Sequence, residues 1–321
     1  MLDEKIVEIL KSKKSLLAFS YGVDSTALFY LMLENNINFD IAFINYNTRK
    51  NSPAEEKATL NLAKKFDKLA HIKRVKMDLN TPNFEKIARD LRYEFFNEIC
   101  LKFGYEILIT AHQLNDLFEW FLMRISKGSG LVNAVGMDIF EKKQNYILIR
   151  PLLYTARFEI EKYLKDNKIK HFIDDSNFNI KFQRNYIRQN FSDEFIQKFA
   201  PGIKKSFEFF KKDRDILLGD FIFENKEIFV IKNSSNSINL IDKAAKILGV
   251  CMSQNQRKEL EKDCVISSKI SITHYQDKIF IAPYKTPIMN KKFKEICRIK
   301  KIPKLLRGYI YLNQNLLQLL F

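Results

Sequence analysis

Four short β-prone runs, at residues 15–20 (SLLAFS), 39–45 (FDIAFIN), 71–77 (HIKRVKM) and 106–110 (EILIT), are separated by stretches of helical periodicity over 24–34, 54–66 and 84–103. Strand and helix alternating at this spacing call for crossover connections, so the strands lie parallel in one sheet with helices on both faces. Such a sheet binds ligands at the carboxyl ends of its strands, which is where chemistry is to be sought. Helical periodicity continues over 114–126 and 156–167, and Pro201-Gly202 marks an expected boundary, giving domains of 1–200 and 201–321. The second holds strand-like runs at 228–232 and 278–282, helical patterns near 241–248 and 255–262, and a polar turn at 233–237 (NSSNS). The expected architecture is α/β with a parallel sheet, followed by a smaller α+β domain.

With 321 residues, 46% of them hydrophobic, the chain can bury a core without disulfide or metal staples. No apolar run approaches the ~18 residues of a membrane span, and residues 1–14 mix acids and bases where a secretory signal carries an apolar stretch; a cytoplasmic chain with no membrane partner is expected. Cys100, Cys251, Cys264 and Cys297 form no CxxC pair, and four scattered histidines form no HExxH, so a protein-built zinc site is not expected. Any metal should arrive with a substrate.

The formal charge of +16 favours polyanionic partners. It is uneven: residues 1–200 carry 31 basic and 26 acidic side chains, residues 201–321 carry 23 and 12. Residues 291–307 (KKFKEICRIKKIPKLLR), which include Lys300, Lys301 and Lys304, set eight bases around one acid. Such a stretch reads as a nucleic-acid backbone contact, a solvated lysine-rich face or an anionic membrane contact.

Residues 20–25 (SYGVDS) follow the first strand and precede the first crossover helix. A turn in that position aims unpaired helical N–H groups and the positive end of the helix dipole at an anion. Ser20 and Ser25 add hydroxyls, Gly22 permits close backbone approach, Tyr21 and Val23 complete the loop, and Asp24 offers a carboxylate to Mg²⁺ or a cationic substrate. Taken alone, Asp24 or Ser25 also reads as a helix cap. No GxxxxGK[ST] occurs, which sets aside the usual kinase and GTPase cradle.

The loop resembles the SGGxDS PP-loop of the N-type ATP pyrophosphatases, and later blocks resemble the tRNA(Ile)-lysidine synthetase family within that superfamily. Residues 83–93 (NFEKIARDLRY), 110–119 (TAHQLNDLFE), 127–130 (KGSG) with Gly136-Met137, 150–153 (RPLL) and 174–177 (DDSN) with Arg184, Asn185 and Arg188 occur in the family's order. The sequence departs from the pattern at Tyr21 (a glycine in the family), Gln113 (histidine), Asn115 (aspartate) and Trp120 (threonine). If a helix begins at the end of the fourth strand, His112, Asp116 and Glu119 fall at i, i+4 and i+7 on one face. Asn115 would lose a charge but keep an oxygen ligand.

The resemblance implies a ligase forming a C–N bond. ATP adenylates the carbonyl oxygen at C2 of the wobble cytosine in tRNA(Ile) with anticodon CAU, and L-lysine then displaces AMP to give lysidine. It implies pyrophosphate held by residues 20–25, Mg²⁺ or the lysine ammonium at Asp24 and Asp116, the amino acid oriented by Glu119, and the adenylate touched by His112. Arg184 and Arg188 are expected to face RNA or nucleotide, and the basic C-terminal domain to hold the tRNA. Two rival readings are a PP-loop tRNA thiolation enzyme, in which a sulfur nucleophile displaces AMP, and an RNA-binding relative that no longer hydrolyses ATP. Amidation of a small molecule by the same loop would leave the basic C-terminal part unexplained.

Overall fold

The computed structural model describes all residues except 48–51, 78–83, 173–182 and 226, together with the side chain at position 85. It divides into two compact units, Met1–Phe210 and Lys211–Phe321. Asn83 and the 174–177 block lie outside the described residues.

The first unit runs α1 (Glu4–Lys11), β1 (Ser15–Phe19), α2 (Val23–Glu34), β2 (Phe39–Asn45), α3 (Ser52–Lys65), β3 (Ala70–Arg74), α4 (Phe84–Phe103) and β4 (Ile107–Ile109). It continues with α5 (Leu114–Ile125), α6 (Leu131–Ala134), β5 (Phe140–Lys142), β6 (Ile147–Ile149), α7 (Arg157–Asp166) and α8 (Gln183–Ile187). A π-helical turn over Arg188–Ser192 leads into α9 (Asp193–Leu218). The six strands form one sheet in the order β3-β2-β1-β4-β6-β5, parallel except for β5 against β6.

Alternate residues of each strand feed opposite cores, as a sheet covered on both faces requires. Leu17, Ile41 and Ile109 pack with Leu28 and Met32 of α2 and Ile160 and Leu164 of α7. Leu16, Ala42, Leu108 and Leu148 pack with Phe95, Phe96 and Ile99 of α4. Each such fully buried side chain stabilises the fold by about 1.5–3 kcal/mol.

This order places β1 between β2 and β4. The chain leaves β1 toward β2 and β3 and later crosses back to β4, so the β1/β4 boundary is the switch point of the sheet. Loops leaving two strands at such a point diverge and open a crevice at the carboxyl end.

Pro201-Gly202, the sequence's expected boundary, lies inside α9, where non-helical angles at Phe199 (φ −127°, ψ 16°) kink the helix two residues before the proline. Proline removes an N–H and crowds the preceding turn, so the helix bends there and continues.

The second unit is an antiparallel sheet in the order β7-β8-β11-β10-β9, built from β7 (Phe223–Asn225), β8 (Ile228–Lys232), β9 (Cys264–Ile266), β10 (Ile270–Tyr275) and β11 (Lys278–Pro283). Ile279 and Ile281 of β11 face α10 (Ser237–Ile247), whereas Phe280 and Ala282 face α12 (Lys291–Ile299) and α13 (Arg307–Leu312). The short α11 (Gln254–Lys258) and α14 (Leu317–Leu320) complete it. Among the described residues no helix is long and apolar enough to cross a membrane.

Candidate active site

The loops after β1 and β4 carry both constellations read from the sequence to the two sides of the switch point. After β1, Gly22 is the N-cap of α2 with extended angles and no side-chain cap bond, so the first N–H groups of α2 keep their donor capacity. The Ser20 and Ser25 hydroxyls lie 3.0 Å apart, Ser25 Oγ accepts from Ser20 N–H (3.2 Å), and Ser20 Oγ accepts from Gly22 N–H (3.4 Å). These bonds fold the loop on itself, which lowers the cost of ordering it around phosphate.

Tyr21 stands at φ 59°, the left-handed region in which a side chain costs roughly 1–2 kcal/mol. That explains the family's glycine there. Here the ring is edge-on to Phe19 and to Phe172, with 5.2 Å between centroids in both cases, and Phe172 N–H donates to Tyr21 O (2.9 Å). The tyrosine is held by aromatic contacts that offset its backbone strain.

After β4 the structure corrects the helical reading of His112. The helix begins at Leu114 with Gln113 as N-cap, so His112 precedes it, and only Asp116 and Glu119 share a helical face. Gln113 Oε1 accepts from Asn115 N–H (2.6 Å) while Asp116 Oδ2 accepts from Gln113 N–H (3.0 Å), a reciprocal capping box that fixes the Asp116 rotamer. Gln113, standing where the family has histidine, is thus a structural cap. Asn115 is no ligand either. Its Oδ1 accepts from Arg157 N–H (3.1 Å) and its Nδ2 donates to Asp193 (2.9 Å), tying α5 to α7 and α9.

Arg184 and Arg188 lie against the α5 carboxylates. Arg184 donates to Glu119 Oε2 (2.8 Å) and Asp116 Oδ1 (2.5 Å); Arg188 donates to Glu119 Oε1 (2.7 Å) and Oε2 (3.1 Å). Glu119 is fully buried, so two guanidiniums occupy both its oxygens. Arg150, also singled out by the sequence, is buried and donates to Glu141 (2.7 Å) and Asp138 O (2.7 Å), which makes it a structural partner of β5 and β6.

The carboxyls of Asp24 and Asp116 are pushed apart in acidity. Burial, then the nearby Asp116 charge, raises Asp24 to about 7 against the pull of Arg157 and Arg188. Burial raises Asp116 too, but Arg184, His112, Arg188 and the Gln113 N–H outweigh it and hold that carboxyl below its ordinary value. Burial lowers His112 to about 4, so the imidazole is neutral near pH 7, with Nδ1 2.9 Å from Thr110 Oγ1. Asp24 Oδ1 is buried without a hydrogen-bond partner and feels a second carboxylate. An oxygen pair of this kind fits a hard divalent cation or an ammonium group.

Arg157 is a residue the sequence reading passed over. It opens α7, pairs with Glu161 (2.9 Å) and senses the charge of Asp24. Its place in TAR, seven residues after Arg150, was the available signal.

Trp120 lies against Gly136: a Cβ at that glycine would sit 1.9 Å from Trp120 Nε1. The indole uses space that only glycine leaves.

A PP-loop domain model matches residues 2–195. Over 313 residues the chain is 48% identical to a tRNA(Ile)-lysidine synthase of Campylobacter jejuni, covering 97% of this chain and 96% of that protein. The chain belongs to the tRNA(Ile)-lysidine synthase family. Members from Helicobacter pylori (38% identical, 95% of this chain and 91% of that protein) and Wolinella succinogenes (38%, 95% of each) match over similar lengths. Among solved structures, the U34-tRNA thiolase NcsA of Methanococcus maripaludis superposes with a TM-score of 0.55 at 16% identity, over 66% of this chain and 75% of that one, which shows a shared fold.

Proposed function

We propose that the chain is a tRNA(Ile)-lysidine synthase, a cytoplasmic C–N ligase. ATP adenylates the C2 carbonyl oxygen of the wobble cytidine of tRNA(Ile) with anticodon CAU, releasing pyrophosphate. The amine of L-lysine then attacks C2 and AMP departs with that oxygen, so the modified anticodon reads AUA in place of AUG. The observation that carries this reading is near full-length similarity to a tRNA(Ile)-lysidine synthase in a chain whose PP-loop and acidic helix flank one switch point.

The geometry supports a division of labour. The helical N–H groups at Val23, Asp24 and Ser25, with the Ser20 and Ser25 hydroxyls and the backbone of Tyr21 and Gly22, cradle the pyrophosphate. Asp24 and Asp116 would hold Mg²⁺ accompanying ATP, which would neutralise phosphate charge, or the lysine ammonium. Neutral His112 contacts the adenylate by hydrogen bonding. Glu119 orients the substrates through the guanidiniums it holds, leaving the free N–H edges of Arg184 and Arg188 for nucleotide or RNA. Residues 1–200 carry the chemistry, and residues 201–321 hold the tRNA by its backbone, with Lys301 and Lys304 exposed and Lys300 bonded to Phe321 O (3.0 Å). Extrusion of the target base into the crevice completes the site.

Thiolation fits less well. Cys100 lies on the buried face of α4, and burial pushes its thiol up to about 12, so it is not a ready sulfur nucleophile. Incubating the protein with ATP, L-lysine and total tRNA and identifying the wobble nucleoside by mass tests the proposal. Lysidine is expected; unmodified or thiolated cytidine would refute it.

A further inference from the structure

The face of the first unit beside the acidic helix carries aromatic rings that the chemistry does not use. Phe191, Phe195 and Phe199 recur every fourth residue from the π-helical turn into α9, and they are 52%, 47% and 52% exposed. With Phe118 and Leu122 of α5 they line a groove of about 470 Å³. Phe118 and Phe195 stack face to face, 5.6 Å between centroids and 13° between planes, and Phe199 leans on Phe195 at 4.9 Å. Asn190, Glu194 and Lys198 also line it; Lys198 Nζ pairs with Glu194 (2.7 Å) and Asn190 Nδ2 donates to Tyr186 O (2.8 Å).

We propose that this groove is a stacking platform for unpaired nucleobases of the RNA substrate, those next to the extruded target base. The inference rests on the tRNA-modifying function proposed above and adds a subsite to it.

Three observations favour bases as the occupant. Position is the first: Leu122 lies three residues after Glu119 on α5, and Asn190 and Phe191 come just after Arg188, which holds Glu119, so the same two segments supply the groove and the site. Ring chemistry is the second. Exposed aromatic rings recurring along a helix offer faces to flat bases in any sequence, and pulling one base from a loop strips its neighbours of stacking partners. The third is the polar lining: the Asn190 side-chain oxygen can accept from a base edge, and Lys198 can exchange its Glu194 partner for the phosphate between two bases.

The test is a double-mutant cycle read by binding. Wild-type protein and the Phe191→Leu/Phe199→Leu variant are titrated with an anticodon stem–loop RNA, intact or with single abasic sites beside the wobble position. Leucine keeps the apolar surface and removes the ring face. We expect an abasic site to weaken wild-type binding roughly tenfold and the leucine variant to bind intact RNA about tenfold more weakly. The two losses should not add, and ATP binding should be unchanged. Equal abasic penalties in both proteins would overturn the platform. So would a leucine variant that keeps full RNA affinity but loses a concentration-dependent dimer seen by sedimentation, since the groove would then seat a second copy. Nucleoside analysis of wild-type reactions reports separately on lysidine formation, so the platform can fail while the function stands, and the reverse.

Discussion

At the scale of single residues, Asp24 and Tyr21 set the character of the loop after β1. A carboxyl whose pKa is about 7 in the native state and near 4 when unfolded binds its proton more tightly in the native state. Folding stability attributable to it is therefore full below about pH 4, declines as pH rises to about 7, and stays reduced above that. Asp24→Asn should melt at the same temperature as wild type at pH 4 but higher at pH 8 without Mg²⁺, by about 1–3 kcal/mol in unfolding free energy, while pyrophosphate release falls by roughly two orders of magnitude or more. Thermal melts at both pH values with a pyrophosphate assay check this; a variant that melts lower at pH 8 would contradict it. The Tyr21→Gly change should relieve the positive-φ strain but remove the ring's packing on Phe19 and Phe172, leaving the protein about 1 kcal/mol less stable with ATP affinity intact. Calorimetry and nucleotide titration read the two effects apart.

At the scale of elements, α5 is fixed by its capping box, by Asn115 and by two arginines delivered from α8 and the π-helical turn. Glu119→Gln removes a buried charge facing two guanidiniums and should cost roughly 3–5 kcal/mol. Because Glu119 acts through those arginines, pyrophosphate release should fall even when lysine is omitted; a defect seen only as a raised KM for lysine would place Glu119 on the amino acid instead. Strands and helices are legible in the sequence because their periodicities are local. Spans 39–45, 84–103 and 228–232 match the observed elements, and the other strands read from the sequence differ by one to three residues at their ends, whereas β5, β6, β7, β9 and β10 are not among the runs it offers. What is not legible depends on tertiary partners. His112 looks helical by spacing, but Gln113 caps the helix after it. Asn115 looks like a weakened ligand until Arg157 and Asp193 are seen to use its amide. Arg184 and Arg188 read as RNA- or nucleotide-facing, and the sequence does not show that two buried carboxylates hold them. Tyr21 stands out in the sequence as a misfit at a glycine position, and its positive φ shows why, though only the structure supplies Phe172 as the partner that accommodates it.

At the scale of the whole molecule, the charge excess and the sheet's switch point fall on different parts of the chain. Most of the basic excess beyond residue 200 sits on an antiparallel α+β unit with its own two-sided core, and the switch point belongs to the first unit. Replacing Lys301 and Lys304 with Glu should weaken tRNA binding and lower the magnitude of its log–log salt slope by about one for each phosphate no longer neutralised, with ATP binding spared. Filter binding across a salt series reads this, and an unchanged slope would remove those lysines from the interface. The central claim is that the turn after β1 presents ATP so that its innermost phosphorus passes to a base oxygen. The most direct test supplies ATP labelled at the α-phosphate and tRNA(Ile) bearing the CAU anticodon, first without lysine. Label should appear on the RNA and then leave as AMP when lysine is added; RNA that never acquires label, or label that only a sulfur donor releases, would contradict the account.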